Sequence, residues 1–575
     1  MSTTISTAGH VDHGKSTLVE ALTGVDPDRF AEEKARGLTI DLGFGSARLP
    51  SGRSVSIIDV PGHERFIRNM LAGVGAVDAC LFVVAANEGW MPQSEEHLRI
   101  LELLGVSHGL VVLTKMGLCD GDIAALARME TEERVEGTFL AGAPVVGTDV
   151  VDGMGLDDLR AGLDDLVDRT PAAADQHRPR LWIDRAFAAR GAGTVVTGTL
   201  TGGQIRVDDE LELLPPATTV RVRALQSHHE SRTKIGPGNR VAVNLSGINH
   251  QEVARGDVLV RAGQWHLTNR LDASLTVLDS LDHKVSRRGA HVVYVGACEL
   301  PIRMRILGPE ALSPGETGWV RLHLPRRLPL LPGDRFILRE SGRAETTGGG
   351  TVLDVDPVLP ASKAAPDLSI DRVIAERGWV DTDRLALLTG QRRTPDVGRW
   401  VVDPMAMQNA EARLRGAVDS AGALGLNVAG LSERDRALLT RLEGLTIEGG
   451  RVRLAGRSDL FESHRYTAAL ESAPFTPPDP ESEGVARSEV RELVKRGLVV
   501  EQDGVFFSAA ALDTAQSVLA EMLAAQPAGV TVAEVRERLR TTRKYALPLL
   551  AWLDGNGFTR RRGDVRIAGP RLPEV

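Results

Sequence analysis

Gly9-His10-Val11-Asp12-His13-Gly14-Lys15-Ser16-Thr17 decides the fold of this chain. It fits the phosphate-loop spacing of two glycines five residues apart followed by Lys-Ser. Thr3 to Thr7 before it reads as a β-branched strand, and Lys15 to Leu22 after it as a helix. Glycine lets the backbone curl so that successive N–H groups converge on phosphate oxygens. The helix N-terminus adds partial positive charge. In this pattern Lys15 reaches the β- and γ-phosphates and the Ser16 hydroxyl holds Mg²⁺. The nucleotide-binding set is therefore Gly9, His10, Val11, Asp12, His13, Gly14, Lys15, Ser16 and Thr17.

The chain has 575 residues, enough for several domains, and its 42% hydrophobic content is that of a soluble globular protein. No apolar run approaches the roughly 20 residues a membrane span needs. The N-terminus lacks a charged-then-apolar signal pattern, so a cytoplasmic protein with no membrane contact is expected. Cys80, Cys119 and Cys298 lack metal-ligand spacing and read as reduced structural thiols. The net charge of −9 excludes a protein that coats nucleic acid generally. It conceals an asymmetry: Thr531 to Val575 holds ten Lys/Arg against five acids. A local basic face on an acidic chain points to a confined polyanion site.

Strand and helix patterns alternate to about Arg169, as in a doubly wound α/β domain. Val55–Val60 ends in acid-bearing sequence, Ala79–Ala86 is a continuous apolar run, and Gly109–Thr114 is another. Helices are expected at about Gln93–Leu104, Gly121–Glu133 and Gly155–Asp168. Functional residues in such sheets gather at the carboxyl ends of strands. There stands Asp59-Val60-Pro61-Gly62-His63-Glu64. Asp59 can bind Mg²⁺ through water, and Gly62 lets a backbone N–H approach the γ-phosphate. Arg36-Gly37-Leu38-Thr39-Ile40 lies between the motifs, and Thr39 offers the metal a second hydroxyl. A loop held only by γ-phosphate and metal orders in one nucleotide state and loosens in the other.

Gly9–Thr17, Arg36–Ile40 and Asp59–Glu64 together resemble the GTP-binding domain of Tu-type translational elongation factors. Asn69-Met70-Leu71 and Met91-Pro92-Gln93-Ser94-Glu95-Glu96-His97 extend the match. The resemblance implies a GTPase using GTP/GDP and Mg²⁺. It implies that Ser16 and Thr39 ligate the metal directly, with Asp59 beside them. It also implies that His63 positions the attacking water once the ribosome is engaged, with Asp12, Thr39 and Gly62 completing the catalytic set. Phosphoryl transfer of this kind depends mostly on positioning and charge stabilisation.

One motif departs from the family. Base recognition there uses [NT]-K-x-D, whose Asp accepts two guanine N–H bonds. Here Thr114-Lys115-Met116-Gly117 puts glycine at the carboxylate position. Thr114 and Lys115 remain in the nucleotide set. Two charge-assisted hydrogen bonds of about 1.5–3 kcal/mol each are then missing, so weakened base discrimination is expected. Asp120 is a candidate substitute three residues on. Asp149-Val150-Val151-Asp152-Gly153-Met154-Gly155 stands where the family has Ser-Ala-x-x-Gly-x-Gly.

After Thr170-Pro171 short alternating segments and Gly turns continue to about Pro360, as in two small antiparallel barrels. Trp182-Ile183-Asp184-Arg185-Ala186-Phe187, Gly191–Thr199 and Gly238–Asn244 resemble the selenocysteine-specific elongation factor (SelB) family. The resemblance implies an aminoacyl pocket formed by Asp184, Arg185 and Arg240. A selenol ionises more readily than a hydroxyl, so two arginines can favour selenolate over serine by charge. Without the resemblance, Asp184 and Arg185 read as a salt bridge on the barrel rim.

Beyond a Pro/Ala linker at Asp356–Pro366, short helices are punctuated by Gly and Pro, with a second linker at Pro474–Gly484. Ser488–Val500 followed by Gly504–Phe507 reads as helix, turn and hairpin. So do Val532–Leu539, Tyr545–Asn556 and Gly557–Ile567, which is the winged-helix pattern. In the last unit Arg543 and Lys544 open the second helix, and Arg560, Arg561 and Arg562 begin the wing. These five can clasp the phosphates of one RNA hairpin, with readout by shape, backbone and splayed bases. Resemblance to the C-terminal winged helices of SelB implies that this end holds the selenocysteine insertion hairpin (SECIS) in messenger RNA.

The expected fold is multidomain. A P-loop GTP-binding domain spans 1–172, and β-barrels span 173–265 (aminoacyl pocket) and 266–360 (tRNA contact). Tandem winged helices span 361–575, the last module from about 512. The expected function is a ribosome-stimulated GTPase, a monomer, that delivers selenocysteinyl-tRNA to UGA codons. Two alternatives remain: an elongation factor Tu-like carrier with added RNA-binding domains, and a non-hydrolysing RNA tether with a degenerate nucleotide site. Binding of differently aminoacylated tRNAs and ribosome-stimulated hydrolysis separate the three.

Overall fold

The structure, a computed structural model, describes residues 3–28, 33, 38–75, 77, 79–191, 193–228, 230–456, 461 and 463–573. Arg36, Gly37 and Ala192, which belong to the motifs quoted above, lie outside the described residues. Two compact units divide the chain, Met1–Asp403 and Pro404–Val575.

The first unit begins with a six-stranded sheet. Its strands are β1 (Thr3–Ala8), β2 (Gly43–Arg48), β3 (Ser54–Asp59), β4 (Ala79–Ala85), β5 (His108–Thr114) and β6 (Val145–Gly147). They lie in the order β2-β3-β1-β4-β5-β6. All neighbours are parallel except β2, which runs antiparallel to β3 on the edge. The helices are α1 (Lys15–Thr23), α2 (Ile67–Val74), α3 (Pro92–Leu103), α4 (Gly121–Val135) and α5 (Leu156–Arg169).

Alternation along β4 explains the layering. Cys80, Phe82 and Val84 join a core with Met70 and Leu71 of α2 and Leu98 and Leu101 of α3. Ala79, Leu81 and Val83 join the opposite core with Leu18 of α1 and Leu159 and Leu163 of α5. Every β4 residue is buried, as its unbroken apolar run requires of a strand covered on both faces. Each fully buried Leu, Val or Phe contributes about 1.5–3 kcal/mol. The expected helices and parallel strands all form, within a residue or two of the expected ends. β2, the short β6 and α2 are not among the expected elements.

Thr7 and Asp59 sit at the carboxyl ends of β1 and β3, so the phosphate loop and the acid converge at one edge of the sheet. Beyond the sheet, six strands close into a ring: Glu210–Leu214, Val258–Val260, Arg180–Trp182, Gly193–Thr201, Arg240–Ser246 and Thr218–Ser227, which pairs back to the first. A second, seven-stranded antiparallel sheet follows from Leu267–Val277 to Glu345–Asp354. Its Ile337 enters the core formed by α2 and α3. Helices Ile370–Arg377 and Thr382–Thr389, with the hairpin Trp379–Asp381/Trp400–Val402, complete this unit. Arg372 pairs with Asp354 at 3.0 Å and Arg384 with Asp356 at 2.8 Å, tying this helical module to the end of the second sheet.

The second unit repeats a helix-pair-and-hairpin plan. In its last module Val530–Thr531 and Val532–Arg538 precede the helix Arg543–Gly555, and Thr559–Arg562 pairs with Val565–Ala568 as the wing. A capping box starts the module: the Thr531 N–H donates to Glu534 at 2.7 Å, and the Glu534 N–H donates to the Thr531 hydroxyl at 3.3 Å. Leu523, Val535, Leu549, Leu550 and Leu553 form its core.

Candidate functional site

The phosphate loop turns into α1 at Gly14, whose φ of 80° is left-handed. Asp12 also lies in the left-handed region, with φ 63°, and is exposed. The Lys15 Nζ curls over the loop and donates to the carbonyls of Gly9 (3.0 Å) and His10 (2.6 Å). Burial lowers its pKa to about 8. Two side chains from α3 brace the loop from behind. His97 Nδ1 accepts from the Gly9 N–H at 3.0 Å, and Gln93 Oε1 from the Val11 N–H at 3.4 Å. Burial drives the His97 pKa down to about 3, which keeps the ring neutral and able to accept. Its 1% exposure admits no solvent. The His13 ring is fully buried beside the Val83 carbonyl, with a pKa lowered to about 4 by desolvation. Gln93 and His97 were quoted in the sequence without a role. Their four-residue spacing, which places them on one helix face, was the available signal.

The three residues expected at the metal meet. Ser16 Oγ lies 2.6 Å from Thr39 Oγ1 and donates to Asp59 Oδ2 at 2.6 Å. Thr7 Oγ1 donates to the other Asp59 oxygen at 2.9 Å and accepts from the Val60 N–H. Asp59 is wholly buried, and desolvation raises its pKa to about 6. Asp28 joins this cluster by accepting from Thr39 Oγ1 at 2.9 Å. No spacing in the sequence pointed to it. Two hydroxyls and two carboxylates form an all-oxygen donor set, which suits a small hard cation such as Mg²⁺.

Gly62 packs tightly against the phosphate loop. A Cβ there would lie 2.6 Å from the Val11 N and 2.8 Å from the His10 carbonyl carbon, so only glycine fits. His63 follows, half-buried, its Nδ1 accepting from the Arg65 N–H at 3.2 Å. Among the described residues no partner takes Nε2, the ring nitrogen that remains to engage a water.

At the base end, Thr114 Oγ1 donates to the His13 carbonyl at 2.7 Å, and the Lys115 Nζ pairs with Glu88 at 2.8 Å. A cavity of about 390 Å³ is lined by Gly14, Thr17, Thr114, Lys115, Gly117 and the 149–152 loop, among others. Asp120 is not part of that lining. It caps α4, accepting from the Ile123 N–H at 2.9 Å, which commits its carboxylate elsewhere.

The segment after Thr39 runs from the metal cluster to the barrel pocket. Glu33 accepts from the N–H groups of Ile40 and Asp41, and Asn69 donates to the Ile40 carbonyl at 2.7 Å. Asp41 then meets Arg185 and Arg255, each at 3.3 Å. Arg185 also donates to the Leu42 carbonyl. The Phe44 ring lies beneath the Arg240 guanidinium, 3.4 Å from its centroid, and 4.5 Å from that of Arg185. Asp184, Arg185 and Arg240 do come together, but not as a rim pair of neighbours. Arg240 forks onto Asp184 at 2.5 and 2.9 Å, and Arg185 turns to Asp41 and the Leu42 carbonyl, just before β2 of the nucleotide domain. Thr197 adds a 2.7 Å bond to Asp184. The adjoining cavity, about 360 Å³, is lined by Phe44, Arg185, Thr197, Ser227, His228 and Arg240, among others.

In the second unit the five basic residues expected at RNA behave differently. Arg543, Lys544, Arg560, Arg561 and Arg562 are all exposed. Among the described residues none of them forms an ion pair. Lys544 lies over the Tyr545 ring at 5.1 Å, and Arg561 donates to the Gly563 carbonyl at 3.2 Å.

A phosphate loop with a Ser/Thr/Asp oxygen cluster, fused to a closed six-stranded barrel, defines a translational GTPase of the elongation factor Tu class. Family models agree. The elongation factor Tu GTP-binding domain matches residues 2–169, elongation factor Tu domain 2 matches 193–260, and the elongation factor SelB winged helix matches 521–568. The selenocysteine-specific elongation factor of Escherichia coli K12 is 30% identical over 97% of this chain and 98% of its own length. That of Desulfomicrobium baculatum is 39% identical over 62% of this chain and 56% of its own length. The crystal structure of the bacterial selenocysteine-specific elongation factor EF-Sec superposes with a TM-score of 0.71 at 26% identity. It covers 98% of this chain and 99% of that one. The chain belongs to the selenocysteine-specific elongation factor family. Among the described residues, no helix is long and apolar enough to cross a membrane.

Proposed function

We propose that this protein binds selenocysteinyl-tRNA in its GTP state, delivers it to the ribosome at UGA codons, and is tethered to an mRNA hairpin (SECIS) by its last winged helix. It acts as a monomer in the cytoplasm. The observation that carries the reading is the Thr39–Phe44 segment. Thr39 lies in the oxygen cluster, while Asp41, Leu42 and Phe44 lie on the arginines of the barrel pocket. One stretch of backbone therefore touches both the nucleotide site and the cargo site.

Ser16, Thr39 and Asp59 would hold Mg²⁺, which when bound would neutralise phosphate charge. Asp28 sits at the same cluster. Lys15 engages the β- and γ-phosphates, and Asp12 supports the β–γ bridge. The Gly62 backbone approaches the γ-phosphate because nothing larger fits beside Val11. His63 orients a water for in-line attack on the γ-phosphorus. The water oxygen bonds to phosphorus as the bond to the β–γ bridging oxygen breaks, giving GDP and phosphate. Loss of the γ-phosphate releases Thr39, and with it the strand that contacts Arg185 and Arg240.

At the cargo end, Arg185 and Arg240 present two cations to an amino-acid side chain. A selenolate gains from both, whereas a neutral seryl hydroxyl does not. The match of the last module to the SelB winged helix supports the RNA tether over an ordinary carrier. Retention of His63, Thr39 and Asp59 supports hydrolysis over a passive tether.

The test measures affinity of the full chain, with a non-hydrolysable GTP analogue, for one tRNA carrying either selenocysteine or serine. Arg185→Ala should lower the preference for the selenocysteinyl form by about 10–100-fold, the worth of one charge-assisted bond. An unchanged ratio would refute the pocket assignment. Ribosome-stimulated GTP hydrolysis, abolished in His63→Ala, tests the catalytic role separately.

A further inference from the structure

The carboxylate absent from position 117 has a counterpart at the same place, brought from another loop. Asp149 is 7% exposed and stands in the loop after β6. Its Oδ2 accepts from the Gly117 N–H at 2.8 Å, across 32 residues of sequence. A Cβ built on Gly117 would lie 2.7 Å from that oxygen and 3.3 Å from the Asp149 carboxyl carbon. The Asp149 carboxylate thus occupies the region that an aspartate side chain at 117 would fill. The two positions are reciprocal: glycine at 117 makes the room, and an acid at 149, where the family has serine, fills it.

The remaining chemistry fits a base. Asp149 Oδ1 accepts from the Val151 N–H at 2.9 Å, which fixes the carboxylate plane. A carboxylate carries about four acceptor sites, so two remain for a ligand. Both Gly117 and Asp149 line the 390 Å³ cavity that begins at Gly14 and Thr17, beside the phosphate loop. Leu118 and Val151, 70% and 97% exposed, are apolar side chains in the same lining, suited to the faces of a planar ring. Asp152 shares the lining but is exposed, and its Oδ1 accepts from the Met154 N–H within its own loop.

We propose that Asp149 is the base-specificity residue of this GTPase, accepting from N1–H and the exocyclic N2 amino group of guanine in place of the missing motif aspartate. Adenine offers an unprotonated N1 at that edge, and xanthine a carbonyl where guanine has its amino group. Both face the carboxylate with lone pairs and are rejected. The inference rests on GTP being the nucleotide bound, and it reverses the expectation of weakened discrimination.

Competition against a fluorescent GTP analogue on the full chain provides the test. Wild type should prefer GTP over XTP and over ATP by about 100-fold or more, from two charge-assisted bonds. Equal displacement by all three would overturn both the proposal and the guanine assignment while leaving triphosphate binding intact. Asp149→Asn exchanges an acceptor for an amide donor, so it should invert the GTP:XTP preference, while Asp120→Asn, outside the cavity lining, leaves it as in wild type. A wild-type ratio in Asp149→Asn would overturn the proposal alone and assign Asp149 to loop structure. The double variant Gly117→Asp/Asp149→Ala moves the carboxylate back to the motif position and should restore preference for GTP. Its failure to do so would count against the proposal, and it decides the matter alone if Asp149→Asn does not fold.

Discussion

The barrel pocket and the terminal wing are both built from arginine, yet they use it in opposite ways. Arg240 is half of a buried bidentate pair, its side chain 12% exposed against 6% for Asp184, and it lies over an aromatic ring. Arg560, Arg561 and Arg562 stand in solvent on an edge strand, with no ion pair among the described residues. A buried guanidinium held by a carboxylate is preorganised and selective, but the fold depends on it. An exposed one adds little to stability, yet it retains its full attraction for a polyanion whose counterions it can displace. The difference fits the roles we propose: a pocket that distinguishes one side chain and a wing that holds a long charged backbone.

The largest expected effect breaks the pocket. Arg240→Ala leaves Asp184 buried without its charge partner and should destabilise the first unit by about 3–5 kcal/mol. Denaturant unfolding of the full chain would show it as a shift of the first transition alone. Removing both partners, Asp184→Leu with Arg240→Met, should recover most of that loss.

Next is the one wing arginine that resembles the pocket. Arg566, buried, pairs with Asp554 at 3.1 Å, and the other Asp554 oxygen accepts from the Thr559 hydroxyl at 2.6 Å. Arg566→Ala should cost about 1.5–3 kcal/mol in the second unit, as loss of a hydrogen bond to a charged group does. Its neighbours should not. The triple change Arg560/Arg561/Arg562→Ala should leave unfolding within about 0.5 kcal/mol per site. It should flatten the slope of log affinity against log salt for hairpin RNA by about 2–3, at roughly 0.7–0.9 per lost phosphate contact. An unaltered slope would place the RNA elsewhere. The smallest effect is Lys544→Ala, with a slope change of about 1 and no measurable loss of stability.

The same contrast governs what the sequence revealed. The wing is local: its two helices and its glycine turn lie within 40 residues, and each signals by spacing. The phosphate loop and the β4 run are equally local in origin. What escaped depends on distant approach. β2, Gly-Phe-Gly-Ser-Ala-Arg, has neither the apolar alternation nor the composition of a strand. Its glycines are required by neighbours in space: a Cβ at Gly43 would meet Pro27 at 2.6 Å, and one at Gly45 would meet the Thr23 hydroxyl at 2.9 Å. Asp28, Asp41, Phe44 and Asp149 acquire their roles only where separate loops meet. The family resemblance named Asp184, Arg185 and Arg240 together, but not that Arg240 rather than Arg185 pairs with Asp184, nor that Asp41 holds Arg185.

In the function we propose, the segment from Thr39 to Phe44 links nucleotide state to the cargo pocket. Its most direct test is the affinity of the full chain for selenocysteinyl-tRNA, measured with a non-hydrolysable GTP analogue and with GDP, in wild type and in Phe44→Ala. Wild type should bind about 5–150-fold more tightly with the GTP analogue, a typical coupling range, and Phe44→Ala should bring the two affinities close together. If Phe44→Ala keeps the full wild-type ratio, the segment does not carry the coupling and the account fails.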